Sequence, residues 1–257
     1  MPNSTSIQTI DLGQAGYGPV LERQRLINQQ VIDGQSQPTL FMVEHDPVIT
    51  LTRRPSVREN LLADDTKLAK LGIATHQTDR GGDITYHGPG QLVVYPILKL
   101  GDYGLNLSSY MRLLEQAIID TVATWGIEGY RECGAAGVWV SSPEACGLRL
   151  EGERDSALVT TTAKPQAPGL KPTSAKLCAM GVRIRKNTTM HGLALNVDPD
   201  MAHFDLIVPC GLAERSVTSL KQLLGDDCPT MQQVKTIFEQ TFRTALMCED
   251  KPACLKR

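Results

Sequence analysis

The chain has 257 residues, 26 Lys and Arg against 28 Asp and Glu, a formal net charge of −2 and 41% apolar positions. That is the composition of a globular protein able to bury a sizeable core, and so balanced a charge speaks against nucleic acid as a partner, which demands a strong basic excess. No stretch approaches the roughly 18 apolar residues of a membrane span and residues 1–10 lack the marks of an export signal, so a cytoplasmic protein with no membrane partner is expected.

In chain order, Val20, Ile27 and Val31 recur at helical spacing and predict a helix over 19–31, with Gly34 as its stop. Strands follow over 39–43 and 48–51, read as a pair turning at His45-Asp46-Pro47. The β-rich run 91–98 predicts another strand, and Pro96 within it points to an edge or a bulge. Tyr110, Leu114, Ala117, Ile118, Thr121, Val122 and Trp125 form one helical stripe that ends at Gly126. Short strands are expected over 137–140, 179–185 and 193–197. Thr230 and Gln233 have capping-box spacing and open a last helix, with Met231, Val234, Phe238, Phe242 and Ala245 on one face. A strand-rich middle between helical flanks, without regular βαβ alternation, predicts an α+β fold. The chain reads as one domain over 1–257. Within it, 141–175 holds four Pro, four Ser, four Thr and three Gly without periodicity and reads as a flexible insertion, and 248–257 as a tail.

The seven cysteines are Cys133, Cys146, Cys178, Cys210, Cys228, Cys248 and Cys254. An odd, scattered set fits reduced thiols better than a disulfide framework, and the absence of C-x-x-C argues against a metal site.

Three clusters carry residue types suited to chemistry. The run Arg80-Gly81-Gly82-Asp83-Ile84-Thr85-Tyr86-His87-Gly88-Pro89-Gly90-Gln91 reads as a loop with close backbone approach, either a ligand cradle or turn chemistry between strands. It is neither a Walker loop nor a G-x-G-x-x-G, so nucleotide binding is not supported. Pro209-Cys210-Gly211 places a thiol on a sharp turn, a position that is structural more often than catalytic unless a base or cation accompanies it. Lys176 enters the strand-like run Lys176-Leu177-Cys178-Ala179-Met180-Gly181-Val182-Arg183, where burial would lower its pKa, and His191 precedes Gly192-Leu193-Ala194. Taken alone, Lys176 reads more simply as a snorkelling surface lysine and His191 as a satisfied structural histidine.

Taken together, Arg80-Gly81-Gly82 with Thr85-Tyr86-His87-Gly88-Pro89-Gly90-Gln91, then Gly137-Val138-Trp139-Val140, the two runs at Lys176 and His191, Pro209-Cys210-Gly211 and Val217-Thr218-Ser219-Leu220 follow a known order. The chain resembles the octanoyl-(acyl-carrier-protein)–protein N-octanoyltransferases, the lipoyl/octanoyl transferases of lipoate biosynthesis, over about 20–246. The cysteine follows the lysine by 34 positions, as in that family. The resemblance implies a biotin/lipoyl protein ligase-like α+β fold with a mixed central sheet flanked by helices. It implies transfer of octanoyl from octanoyl-acyl carrier protein to a lysine of lipoyl domains of 2-oxoacid dehydrogenases or of glycine cleavage H protein, with no cofactor and no metal. By the same resemblance Cys210 is the acyl-thioester nucleophile and Lys176 the group that lowers its pKa. Arg80, Gly81, Gly82, Asp83, Ile84, Thr85, Tyr86 and His87, with Ala179, Met180, Gly181, Gly192, Leu193 and Ala194, match the substrate-binding stretches. Thr52 stands where the family commonly has glycine, and the stretch before Lys176 is longer than usual. An ATP-dependent lipoate or biotin protein ligase of the same fold is the competing enzyme, and it has no use for Cys210. Arg183, Arg185 and Lys186 offer either a basic patch to acidic carrier proteins or an ordinary solvated face.

Overall fold

The run Thr39–His45 is buried at almost every position, as in a strand with both of its faces covered. The computed structural model of the chain describes residues 7–141, 174–208 and 216–248. In chain order the elements are β1 (Gln8–Ala15), α1 (Tyr17–Ile32), β2 (Thr39–His45), β3 (Val48–Leu51), α2 (Asp65–Lys70), β4 (Ala74–Gln77), β5 (Ile84–His87), β6 (Gln91–Ile97), α3 (Leu107–Ala123), β7 (Gly129–Glu132), β8 (Ala135–Ser141), β9 (Ser174–Arg185), β10 (Thr188–Asn196), β11 (Ser216–Val217), α4 (Leu220–Leu224) and α5 (Met231–Met247).

The large sheet runs β1-β2-β6-β10-β9-β8-β7, with β11 beside β9. It is mixed: β1 with β2 and β11 with β9 are parallel, and the other pairs are antiparallel. Leu40, Met42, Leu92, Val94, Leu193 and Leu195 face one side, where they pack against α3 and α5. The intervening Phe41, Val43, Val93, Tyr95 and Ala194 face the other side, partly beneath Val20 and Val31 of α1. The small sheet, β4-β3-β5, packs Ile49, Ile84 and Tyr86 against Leu68, Ile73, Phe204 and Leu206. The α+β class with helices flanking a mixed sheet is as expected.

Several local expectations are corrected. β2 and β3 do not form a hairpin: His45-Asp46-Pro47 carries the chain from the large sheet to the small one, where β3 pairs with β4 and β5. Pro96 lies in an interior strand, paired to Leu40 on one side, and it is tolerated because the β10 ladder already ends at Leu193↔Val94. The irregularity sits on β10, where His191 has φ 58°. The stretch read as a loop around Arg80 contains β5, and β1, β4 and β7 carry too little apolar pattern to have been read as strands.

Ser141, Ser174 and Ala175 belong to the paired strands β8 and β9, so the expected insertion is shorter at both ends; 142–173 and the tail from 249 lie outside the described residues. Cys133, Cys178 and Cys228 are free, but Cys248 at the end of α5 is disulfide-bonded, against the expectation of reduced thiols throughout. Among the described residues no helix is long and apolar enough to cross a membrane.

Helix α5 opens with the expected capping box, Thr230 and Gln233 each holding the other's backbone N–H. It docks through Phe238, fully buried and stacked on Phe242 at 5.8 Å between centroids. Replacing Phe238 with Ala is expected to cost about 3–5 kcal/mol in urea unfolding. A loss below about 1 kcal/mol would show that α5 is not an integral part of this core.

Candidate active site

On the side of the large sheet that faces the small one, the residues where β9 and β10 cross are small. The register sets Ala179 opposite Ala194 and Gly181 opposite Gly192, leaving an Ala-Gly-Gly-Ala floor beside Val93 and Tyr95. A Cβ on Gly192 would lie 2.1 Å from the Val94 carbonyl oxygen, and one on Gly181 2.5 Å from that of Gly81. Only glycine fits at either position without a backbone shift. The Gly81 amide donates to the Val182 carbonyl at 2.9 Å, so the loop from the small sheet closes directly onto β9.

This closure makes a slot lined by Tyr17, Arg80, Gly82, Ile84, Thr85, His87, Val93, Tyr95, Ala179, Met180, Gly181, His191, Gly192, Leu193 and Ala194. The two glycine-rich stretches singled out in the sequence therefore meet. Gly81, Asp83 and Tyr86 do not line the slot. Gly81 makes the loop-to-strand contact just described, and Asp83 takes a 2.7 Å hydrogen bond from Asn60. Tyr86 points the other way, into the small sheet's core, where its hydroxyl meets His203 at 2.8 Å and burial pushes its pKa up to about 12.

Arg80 does not aim its charge freely into the slot. Its guanidinium donates to the Thr50 hydroxyl at 3.0 Å and to the Asp83 and Gly81 carbonyls at 3.1 and 3.0 Å, so it shapes the loop. Thr52, in place of the expected glycine, is buried and donates to the Gly82 carbonyl at 3.5 Å.

Sequence reasoning missed Tyr17, Val93 and Tyr95 as lining residues. Alternation along β6 held a signal for Val93 and Tyr95, whereas Tyr17 reaches the slot from the start of a helix. Three buried histidines belong to the site, His87 and His191 in the slot lining and His45 against Tyr95. His45 must donate from Nδ1 to the Ala15 carbonyl at 2.9 Å, so its Nε2 accepts from the Tyr95 hydroxyl at 2.8 Å. His87 donates from Nδ1 to Gln91 Oε1 at 2.6 Å. His191 donates from Nε2 to Asp79 at 2.8 Å, and Asp79 also pairs with Arg183. Burial, the largest cause in each, lowers the pKa of His45 to about 4 and those of His87 and His191 to about 3.

Lys176 lies on β9 outside the slot lining, three residues before Ala179, or about 10 Å along the strand. It is only 8% exposed, which overturns the snorkelling reading, and its Nζ sits 4.6 Å from the Trp139 ring centroid. A β-bulge gives it its direction. Val138 pairs with Cys178 but Trp139 pairs with Lys176, so Leu177 is the extra residue. Leu177 and Cys178 both enter the core on the α3 side, and Lys176 turns to the face of Ala179 and Ala194.

The Lys176 carbonyl accepts from Thr218 at 3.0 Å, the Thr218 carbonyl from Asn196 at 2.9 Å, and Asn196 Oδ1 from Gln91 at 2.8 Å. A buried polar chain thus joins His87 to the lysine strand. Cys178 is fully buried and its pKa is raised far above the usual thiol range by that burial, so proximity to Lys176 does not make it a nucleophile. Cys210 and Gly211 lie outside the described residues. Among the described residues no cluster of His, Cys, Asp or Glu has the makings of a metal site.

A family model for the lipoyl protein ligase A/B catalytic domain matches residues 17–243. An octanoyltransferase of Chloroflexus aurantiacus is 41% identical over 224 residues, 87% of this chain and 86% of the relative. An octanoyltransferase of Porphyromonas gingivalis is 40% identical over 240 residues, 90% of this chain but 43% of that longer relative. Among solved structures, a bipartite lipoate protein ligase of Thermoplasma acidophilum matches with a TM-score of 0.64 at 15% identity, over 97% of this chain and 90% of that one, a likeness of fold.

The three buried histidines make stability fall in acid. Their folded pKa values lie below the ordinary 6.5, so their contribution is complete above pH 6.5 and is lost as pH falls toward 4. His45 and His87 are each expected to cost about 2 kcal/mol at pH 5, while paired carboxylates remain ionised. A Tm that falls steeply between pH 7 and 5 is the expected result; a flat Tm over that window would contradict burial of neutral imidazoles.

Proposed function

The chain belongs to the lipoyl protein ligase A/B catalytic family and is an acyltransferase, a relative of the octanoyltransferases; on that premise we propose that it moves an octanoyl group from acyl carrier protein to a lysine of a lipoyl domain or of glycine cleavage H protein, by way of a thioester on Cys210. The observation that carries this reading is the bulge at Leu177, which turns a buried lysine onto the face of the sheet that forms the slot floor. Chain connectivity supports Cys210 as the partner. Val208, two residues before it, is tied to the Asn60 carbonyl at 2.8 Å, and Ser216 and Val217, which follow, pair with Ala175 and Lys176.

A thiol of ordinary pKa about 8.5 is only about 3% thiolate at pH 7, so a neighbouring ammonium gains up to about 30-fold in nucleophile. The Cys210 thiolate attacks the octanoyl carbonyl, the bond from carbon to the carrier's sulfur breaks, and the Lys176 ammonium gives its proton to the departing thiolate, which leaves as the carrier thiol. In the second half-reaction an acceptor lysine passes a proton to the now neutral Lys176, its neutral amine attacks the acyl carbon, the Cys210 thiolate departs, and the amide nitrogen releases its second proton to water. The incoming thioester already carries the activation energy, which removes any call for ATP. Two alanines and two glycines at the floor leave width for an unbranched acyl chain, whose roughly six methylenes supply on the order of 5 kcal/mol on burial.

Mixing the protein with octanoyl-acyl carrier protein without ATP is expected to add about 126 Da, labile to hydroxylamine and absent from Cys210→Ser. No added mass, together with modification of a lipoyl domain from octanoate plus ATP, would replace the transferase reading with a ligase. Filling the floor with Ala194→Leu is expected to slow octanoyl transfer at least about tenfold while leaving acetyl transfer largely intact, since the shorter chain does not need the slot. Equal losses for both donors would place the acyl chain elsewhere.

A further inference from the structure

Helix α3 presents an apolar face to the large sheet, and at the edge of that face stands Glu115, 6% exposed. A carboxylate in such a place costs stability unless it is well paired, and an apolar residue would serve packing better. Its partners reach across three elements. Arg131 of β7 donates to Oε2 at 3.1 Å, Arg112 of α3 at 3.4 Å, and the backbone amide of Gly137 of β8 approaches Oε1 at 3.4 Å.

Gly137 is where this network meets the lysine. Its φ of 128° belongs to the region that favours glycine, and a Cβ there would lie 2.3 Å from the Cys178 carbonyl oxygen and 3.7 Å from Lys176 Cε. It sits on β8 just before the irregularity at Val138 and Trp139 that aims Lys176. Bond geometry puts the carboxylate on the order of 10 Å or less from Lys176 Cε.

We propose that Glu115 is a positioning residue for Lys176, a buried carboxylate that fixes the β8 backbone over the lysine and keeps its ammonium form available. This rests on the reading of Lys176 as the group that exchanges protons in the reaction. The charged groups on the elements packed here are Arg112, Glu115 and Asp120 on α3, Arg131 and Glu132 on β7, and Arg183 and Arg185 farther along β9, with His191 on β10; β8 contributes the Trp139 ring, and β9 also contributes the Cys178 thiol. Glu115 is the carboxylate that Arg112 and Arg131 share. Removing its charge takes a negative group from within about 10 Å of Lys176 across the sheet, and the lysine then gives up its proton more readily. At about 10 Å and an effective dielectric of about 20 the change is worth on the order of one pH unit.

The test is the pH dependence of the second half-reaction, transfer from preformed octanoyl-enzyme to a lipoyl domain in a single turnover, for the full chain and for Glu115→Gln, Glu115→Asp and Lys176→Met. The ¹³Cε resonance of Lys176 is followed in the unacylated protein alongside. In Glu115→Gln the rising limb of the rate and the Lys176 resonance are expected to titrate about one pH unit lower, and Glu115→Asp, which keeps the charge, is expected to stay near wild type. If Lys176→Met abolishes the limb but neither limb nor resonance moves in Glu115→Gln, the role of Glu115 is overturned and that of Lys176 stands. If the limb survives in Lys176→Met, the reading of Lys176 as the proton acceptor fails first. The resonance reads the lysine directly, so a Glu115→Gln protein that merely loses stability leaves it unmoved and also overturns the proposal.

Discussion

Two glycines facing each other across adjacent strands hold the site together. Gly181 and Gly192 are register partners in the middle of β9 and β10, and each meets a backbone carbonyl where a side chain would otherwise stand. The bareness of Gly192 lets β10 lie close against β6, and that of Gly181 lets the small sheet's loop dock on the large sheet by a backbone hydrogen bond from Gly81 to Val182. A slot between two sheets follows from that contact, and so do its contents. Arg80 is spent on holding the loop in shape, and the buried histidines and tyrosines behind it satisfy one another's polar atoms, which the low dielectric of the interior demands.

The second device is the bulge at Leu177. A regular strand alternates, and with Cys178 in the core Lys176 would have pointed into the core as well; the extra residue reverses it. The lysine is thereby held on the slot's face by Trp139, by the Thr218 bond to its own carbonyl and, on the α3 side, by the Glu115 network. The polar chain from His87 through Gln91, Asn196 and Thr218 ties the two ends of the site to one framework of buried amides. Precision of this kind comes from strands rather than loops, and it suits a reaction in which one group serves as cation in one step and as base in the next.

Much of the fold was legible because its elements carry strong local signals. The stripe from Tyr110 to Trp125 and the capping box at Thr230 specify their helices without help from the rest of the chain. The false hairpin between β2 and β3 shows the limit of that logic: a turn-like His-Asp-Pro between two apolar strands describes adjacency in sequence, while the choice of sheet is made by packing. Pro96 misled for a related reason, since whether a strand position needs its amide depends on where the neighbouring ladder stops. In the site, glycine-rich stretches were readable and their meeting across the slot was not. Tyr86 shares the motif yet faces away, because alternate residues of β5 point to opposite sides and Thr85 and His87 take the slot side, while Asp83 lies before the strand and is turned to Asn60. Glu115 gave no sequence signal at all, being one acidic residue in a helix with exposed polar neighbours.

The central claim is that a buried lysine on the slot face and the cysteine at 210 behave as a coupled pair. The most direct test is the rate of Cys210 alkylation by iodoacetamide as a function of pH, read by peptide mass spectrometry in the full chain and in Lys176→Met. The proposed pairing predicts reactivity that persists below pH 7 in the parent protein and a midpoint moved up toward about 8.5 in the variant, the value of an unassisted thiol. Superimposable profiles for the two proteins would contradict it.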